Sequence, residues 1–284
     1  MARTSPTVAG WELMLRIREQ SKALGVKATT IQKALDISSA YWSQVANYRG
    51  VLTESKLETL LDLLEFEPDE KEELIALRKI AKGRGWWNEY SALFNDELAR
   101  FFGLEDGARS IRSIESGVIP GLLQTEDYIR ALLSSPLSTG RPTEIGQRVR
   151  ARMQRQRRLD GPDPLQLSVI IGQAALMQEI GGPHVQRDQL RHLLRLADQY
   201  PDTLELRVQS FSGASLNAST FQLLDFESSR LPTLGWLEST IFLEVVHDPK
   251  RIETLDFLYS RVEQIALDRD ESLRLIDQIA SQIR

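Results

Sequence analysis

ATTIQKALDISSAYWSQVANYRG, residues Ala28–Gly50, holds two short apolar-periodic runs separated by a turn. Ile31 and Leu35 stand four apart and define one face of a helix over about Ala28–Leu35. Asp36-Ile37-Ser38 interrupts that period, and Ser38 is a good N-cap for a second helix from Ser39 to about Asn47. Trp42 and Val45, three apart, face inward, and Arg49-Gly50 ends the second helix. A short helix, a tight turn and a second helix form the helix–turn–helix signature. Packing Ile31 and Leu35 against Ile37, Trp42 and Val45 turns Ser39, Ala40, Tyr41, Ser43, Gln44 and Asn47 outward.

Such a face suits double-stranded DNA. A major groove about 12 Å wide admits a helix closely, so short polar or aromatic groups are needed there. Gln44 and Asn47 are the residue types that pair bidentately with adenine. Ser38, Thr29, Lys27 and Arg49, together with the helix N-terminus, are suited to phosphates. The bland alternative is a plain helical bundle for protein docking. Ser38–Arg49 contains no acid, which favours the DNA reading.

Working outward, Val8–Ala23 reads as a helix with Trp11, Met14, Leu15 and Ile17 as its buried stripe, after a frayed stretch at residues 1–7. Thr53 caps a fourth helix carrying Leu57, Leu60, Leu61 and Leu64, and Pro68 opens a fifth. Gly83-Arg84-Gly85 is the clear joint that follows. The expected domains are therefore 1–83, all-α, and 84–284. In the longer part, Asn88–Phe102, Thr125–Leu133, Thr143–Leu159, Val185–Tyr200, Pro249–Ala266 and Arg269–Ile283 read as helices. Ala108–Glu115, Pro164–Ile171, Thr203–Gln209, Phe221–Asp225, Thr233–Glu238 and Ile241–Val245 read as strands. The fold class expected is α+β, with a small sheet in the second domain.

The chain has 284 residues, 42 % apolar and 26 % charged, which excludes wholesale disorder. Its formal charge of −5 hides an asymmetry: seven basic and three acidic residues up to Thr53 give +4, leaving −9 for the rest. A reversal of sign between the two ends suggests that one of them meets a polyanion. The absence of cysteine removes disulfides, thiolate nucleophiles and zinc fingers, and fits a cytoplasmic protein. No stretch approaches the roughly 20 apolar residues of a membrane helix. Three scattered histidines, no phosphate-loop lysine and no G-x-S-x-G elbow in the serine-rich Phe211–Thr220 leave no catalytic residue, metal ligand or cofactor to expect.

Two stretches then resemble known proteins. ISSAYWSQVANYRG is similar to the helix–turn–helix of XRE-type, Cro- and phage-repressor-like regulators, with Ser38, Ser43, Val45 and Arg49 on the family pattern. It departs at Gln32, where the family has a small residue, at Tyr48, where it has glycine, and in a longer Leu24–Lys27 connection. ESGVIPGLLQTEDYIRALL (Glu115–Leu133), RQRRL (Arg155–Leu159), GGPHVQRDQLRHLL (Gly181–Leu194) and FQLLDF (Phe221–Phe226) resemble, in order, the C-terminal domain of WhiJ-like, antitoxin-like XRE regulators of actinobacteria. The resemblance implies a sequence-specific transcriptional regulator controlled through its C-terminal domain by a small partner protein encoded nearby, or by a signal, and acting as a homodimer. The alternative is an antitoxin-type module that neutralises that partner, with DNA binding secondary.

Three further features have more than one reading. Ile119-Pro120-Gly121 reads as a corner fixing two elements, with Gln124 and Tyr128 either serving it or facing a ligand. The arginines at 141, 148, 150, 152, 155, 157 and 158 read as a solvated face, with Arg152 and Arg155 as candidates to hold an acidic partner. Trp86-Trp87 reads as packing at the interdomain joint or as a partner anchor.

Overall fold

The computed structural model describes residues 4–136, 138, 140–212, 220–239 and 242–283. The chain is α+β and divides into two compact units: residues 1–85 with 228–231, and residues 86–227 with 232–284.

The first unit is built from α1 (Pro6–Ala23), α2 (Ala28–Ala34), α3 (Ser39–Ala46), α4 (Glu54–Leu63) and α5 (Pro68–Ala81). The start of α1 corrects the expectation of a frayed stretch through residue 7. Ser5 is buried and accepts a hydrogen bond from the Val8 amide at 3.1 Å, while Pro6 occupies the first turn, where its missing N–H costs nothing. Residues 1–3 of that stretch lie outside the described residues. Leu13, not Leu15, completes the buried stripe of α1 with Trp11, Met14 and Ile17. One apolar core joins Leu13, Met14 and Ile17 to Ile31, Leu35, Trp42, Val45, Leu57, Leu60, Leu61, Leu64 and Leu74. Arg16 on α1 is nearly buried and pairs with Glu70 (3.2 Å) and Glu73 (2.8 Å) on α5.

The second unit holds a six-stranded mixed sheet, covered by helices. Its elements are α6 (Asp96–Gly107), β1 (Ser110–Glu115), α7 (Glu126–Leu133), α8 (Ile145–Gln156), β2 (Gln166–Gly172), α9 (Gln173–Met177), α10 (Pro183–Gln199), β3 (Leu204–Gln209), β4 (Phe221–Asp225), β5 (Leu234–Glu238), β6 (Leu243–Val246), α11 (Pro249–Ile265) and α12 (Arg269–Gln282). The strand order is β3-β2-β1-β4-β5-β6; β1, β2 and β3 run parallel, and the pairs β1–β4, β4–β5 and β5–β6 are antiparallel. Alternation along β1 assigns its two faces. Ile114 joins Phe221, Leu223, Tyr259 and Val262 in a cluster beneath α11, and Arg112 reaches Asp256 of α11 at 2.5 Å. Ser113 and Glu115 point to the opposite face, toward α6 and α8.

Three expectations are corrected. The helix read over Asn88–Phe102 is a 3-10 turn at Trp86–Tyr90 followed by α6 from Asp96, because Asn95 caps a new helix by accepting from the Leu98 amide at 2.9 Å. The helix read over Thr143–Leu159 is α-helical only over Ile145–Gln156, with a 3-10 turn at each end. The short α9 was not anticipated: it follows β2 directly, where Gly172 lies so near Ser116 that an added Cβ would stand 3.3 Å from its carbonyl. Of the serine-rich loop and the strand expected from Ile241, residues 213–219 and Ile241 lie outside the described residues.

Gly235 on β5 sets how closely α11 approaches the sheet. A Cβ there would stand 2.8 Å from Leu255 Cδ1, 3.1 Å from Val246 Cβ and 3.2 Å from Ile252 Cδ1. Gly235→Ala is expected to destabilise the protein by about 1–3 kcal/mol through overpacking, measured by urea denaturation with an unchanged m-value.

Candidate functional site

The helix–turn–helix face is assembled by its neighbours. The core side chains Trp42 and Val45 are 8 % and 1 % exposed and fix the rotation of α3 about its axis. Ser38 caps α3 by accepting from the Tyr41 amide at 3.1 Å. Lys56 of α4 donates to the Leu35 carbonyl at 2.7 Å and the Asp36 carbonyl at 3.3 Å, satisfying the open C-terminal end of α2 at the turn. Lys27, Thr29, Ser38, Ser39, Ala40, Ser43, Gln44, Asn47 and Arg49 are all exposed, and Tyr41 is half-buried with its hydroxyl directed at the Val51 carbonyl. The exposed cations Lys27 and Arg49 sit at the start of α2 and just past the end of α3.

Two residues of this face differ from the expectation drawn for them. Asn47 is the C-cap of α3, and its amide donates to the Ser43 carbonyl at 2.8 Å and to the Ser43 hydroxyl at 3.3 Å. Its donors are thus engaged within the helix end and are not presented to a base. Gln44 accepts from the Arg49 amide through its backbone carbonyl at 2.8 Å, but among the described residues its side-chain amide has no hydrogen-bond partner, so both its donor and its acceptor are unspent. Tyr48 adopts φ +62°, the left-handed conformation that ends helices and that glycine adopts freely. Arg18 of α1 holds it there: its guanidinium lies 4.9 Å from the centre of the Tyr48 ring, donates to the Tyr48 hydroxyl at 2.8 Å and donates to the Ala46 carbonyl. Arg18 was missed by pattern reading because nothing on α1 itself marks it; the tyrosine in a glycine position was the available signal.

The remaining candidates lie in the second unit, and most are used inside it. Tyr128 is fully buried and its hydroxyl accepts from the Ile119 amide at 3.2 Å. Burial pushes its hydroxyl up to about 12. Gln124, also buried, donates to the Ile119 carbonyl at 2.6 Å. These bonds clasp the Ile119-Pro120 corner, which is what the two residues serve; a ligand-facing Tyr128 is not what the structure presents. Trp86 stacks on Phe102 of α6 at 5.5 Å, and Trp87 is buried beside it, edge to face at 5.9 Å.

The arginine run is not a solvated face throughout. Arg155 makes a two-pronged ion pair with buried Glu105, both bonds 2.7 Å, and its guanidinium stands 5.6 Å and 5.0 Å from the Phe101 and Phe102 rings. Gly121 makes room for it: a Cβ there would stand 3.1 Å from Arg155 Nη1. Arg158 is buried and donates to the carbonyls of Asp106, Asp163 and Ala108. Arg148 pairs with Glu144 at 3.0 Å. Arg152 is half-buried and donates to Gln124 Oε1 at 3.1 Å. Desolvation, with Arg155 next, pushes Arg152 down to about 10. Against these arginines stands an acid that the sequence reading passed over. Glu115, buried at the end of β1, accepts from the Ser113 hydroxyl at 2.7 Å and from the Gln222 amide at 3.4 Å. Among the described residues no cluster of three or more His, Asp or Glu is placed to hold a metal, and no helix is long and apolar enough to cross a membrane.

Comparison with known proteins gives one match. A family model described as "Domain of unknown function (DUF5753)" matches residues 98–278. No curated protein and no solved structure matches the chain.

Glu115 gives the unit a definite pH response. Burial pushes its carboxyl up from 4.5 to about 7; the Ser113 and Gln222 hydrogen bonds and the charge of Arg155 oppose this, and Glu238 adds to it. Below about pH 4.5 the folded and unfolded chains both hold the proton, so nothing is lost. Between there and pH 7 the folded chain keeps a proton that the unfolded chain releases, so stability falls as pH rises, and above 7 the loss is complete. Glu115→Gln is therefore expected to be more stable than the parent at pH 8 by about 3 kcal/mol, with the advantage gone by pH 4.5. Chemical denaturation at a series of pH values measures it.

Proposed function

The chain belongs to the DUF5753 family through residues 98–278, and we propose that it is a sequence-specific, DNA-binding transcriptional regulator of the XRE, WhiJ-like type. The observation that carries this reading is the outward face of α3: exposed, free of acids, capped by Ser38, and bearing Gln44 with its amide unspent. In this reading α3 enters the major groove and Gln44 reads a base edge. Ser38, Ser39 and the first amides of α3 meet one phosphate run, and Lys27 and Arg49 meet others. Asn47 contributes by holding the end of α3, while Arg18 and Tyr48 fix the turn from which Arg49 projects. A homodimer supplies the second half-site, since one compact module binds DNA weakly alone. The larger unit receives the controlling input, a small partner protein or a signal, and the setting is the cytoplasm.

A second reading has a specific observation behind it. Asn47 is engaged with Ser43 and Tyr48 with Arg18, which leaves fewer unspent polar groups on α3 than a base-reading helix normally offers. An antitoxin-type module that binds a small partner protein, with DNA binding secondary, accommodates this.

Gel shifts of the full chain on its gene's own upstream DNA separate the two. Gln44→Ala is expected to reduce the preference for that DNA over scrambled DNA by about tenfold, equivalent to about 1.4 kcal/mol of discrimination. Lys27→Ala and Arg49→Ala are expected to weaken binding to both DNAs and to lower the slope of log K against log salt by about 1 each. Binding left unchanged by all three substitutions contradicts the interface; no shift at all, with a neighbour-encoded protein co-purifying, favours the second reading.

A further inference from the structure

We propose that the end of the sheet where β1, β4 and β5 lie beneath α8 binds a small amino-acid-like zwitterion, its carboxylate on Arg152 and its ammonium on Glu115 and Glu238. This rests on the reading that the larger unit receives a signal, and it names the chemistry of that signal.

The strand register brings the acids together. Ile114 pairs with Phe221 and Phe221 with Leu237, so Glu115 on β1 and Glu238 on β5 are the next positions at the same end of the sheet, flanking β4. Period-two alternation puts both on the face that carries Ser113, Gln222 and Trp236, in keeping with the Ser113–Glu115, Gln222–Glu115 and Trp236–Glu238 hydrogen bonds. The cations come from α8 above that face. Arg155, one turn after Arg152, lies 5.6 Å from the Phe101 ring, which stacks at 4.3 Å on Trp236 beside Glu238, so this stretch of α8 faces the acids, in keeping with the influence of Glu238 on both Glu115 and Arg152.

Counting charges shows what is missing. Arg155 is spent on Glu105, bond for bond. That leaves Arg152 against Glu115 and Glu238, and among the described residues none of these three forms an ion pair. Among the described residues Arg152 donates only to Gln124, and Gln124 is itself tied to the Ile119 carbonyl, so the guanidinium is held by one corner and its remaining donors meet no described acceptor. A planar fork of donors presented this way matches a carboxylate. Above about pH 7, where Glu115 is ionised, two acids facing one unspent cation leave a site for a positive group. Gln222 adds an acceptor, for its Oε1 is buried with no hydrogen-bond partner among the described residues, and a buried orphan of this kind is costly unless a donor arrives. An ammonium supplies three donors, enough for Glu115, Glu238 and Gln222 together. Burial selects a small molecule over a protein: Glu115 is 4 % exposed, beyond the reach of a folded surface, while exposed Glu238 and half-buried Arg152 stand at the way in.

The test uses the full chain without DNA, so it stands apart from the gel shifts. Its melting temperature is measured with each common α-amino acid, then with amines lacking the carboxylate and with carboxylic acids lacking the amine. At least one amino acid is expected to raise Tm by about 5 °C at a hundredfold excess over its Kd. Its amine-only and acid-only counterparts are expected to give less than a third of that shift. Glu115→Gln, isosteric with the buried carboxyl and expected to keep the fold, and Arg152→Gln are each expected to weaken binding at least tenfold in calorimetry. The proposal is overturned if no amino acid shifts the parent chain, if the acid alone matches the amino acid, or if the shift survives in Glu115→Gln.

Discussion

The burial of Trp42 and Val45 governs what the smaller unit can do. Both side chains sit in a core shared with Ile17, Ile31, Leu57 and Leu60, so α3 has no freedom to rotate about its axis. With 3.6 residues per turn, placing 42 and 45 inward obliges 39, 40, 43, 44 and 47 to face out. The candidate face is thus a by-product of packing: the core chooses which polar residues are displayed. The Lys56 contacts to the end of α2 and the Arg18–Tyr48 clasp at the end of α3 fix the two ends of the motif that the core leaves open.

The larger unit depends on a different device, the Arg155–Glu105 pair. A buried ion pair is weak support for stability in itself, since desolvation offsets most of the attraction. Its use here is positional. It links α8 to α6, packs on Phe101 and Phe102, and needs the bare backbone of Gly121 to fit. Phe101 in turn stacks on Trp236 of β5 at 4.3 Å, so the pair ties two helices and the Pro120 corner to the sheet. The matched family region, 98–278, contains every member of this arrangement.

The five helices of the smaller unit were legible from their apolar periods, and α3 and α4 from a cap as well: Ser38 and Thr53 accept from the backbone as their sequence position implies. The strands were legible from alternation. What escaped reading has identifiable causes. Ser5 and Pro6 look like a frayed terminus until the buried cap is seen, and Asn95 restarts a helix within a run that reads as continuous. The arginine run misleads because composition cannot tell a solvated guanidinium from one paired inside the fold; Arg155 and Arg158 are the latter. Asn47 has the right residue type for adenine, yet the carbonyl four residues back, which only helical geometry supplies, takes its donor. Glu115 gives no local signal at all: its burial follows from the pairing of β1 with β4, a long-range fact.

The central claim is that the face displayed by the Trp42–Val45 packing reads DNA sequence. Selection of bound duplexes from a random DNA pool by the full chain tests it most directly. The account predicts enrichment of one motif with two-fold symmetry, its half-sites about 10 base pairs apart, and a loss of preference at one position of each half-site when Gln44 is alanine. A pool that enriches no sequence, or a motif identical for the parent and the Gln44→Ala chain, contradicts it.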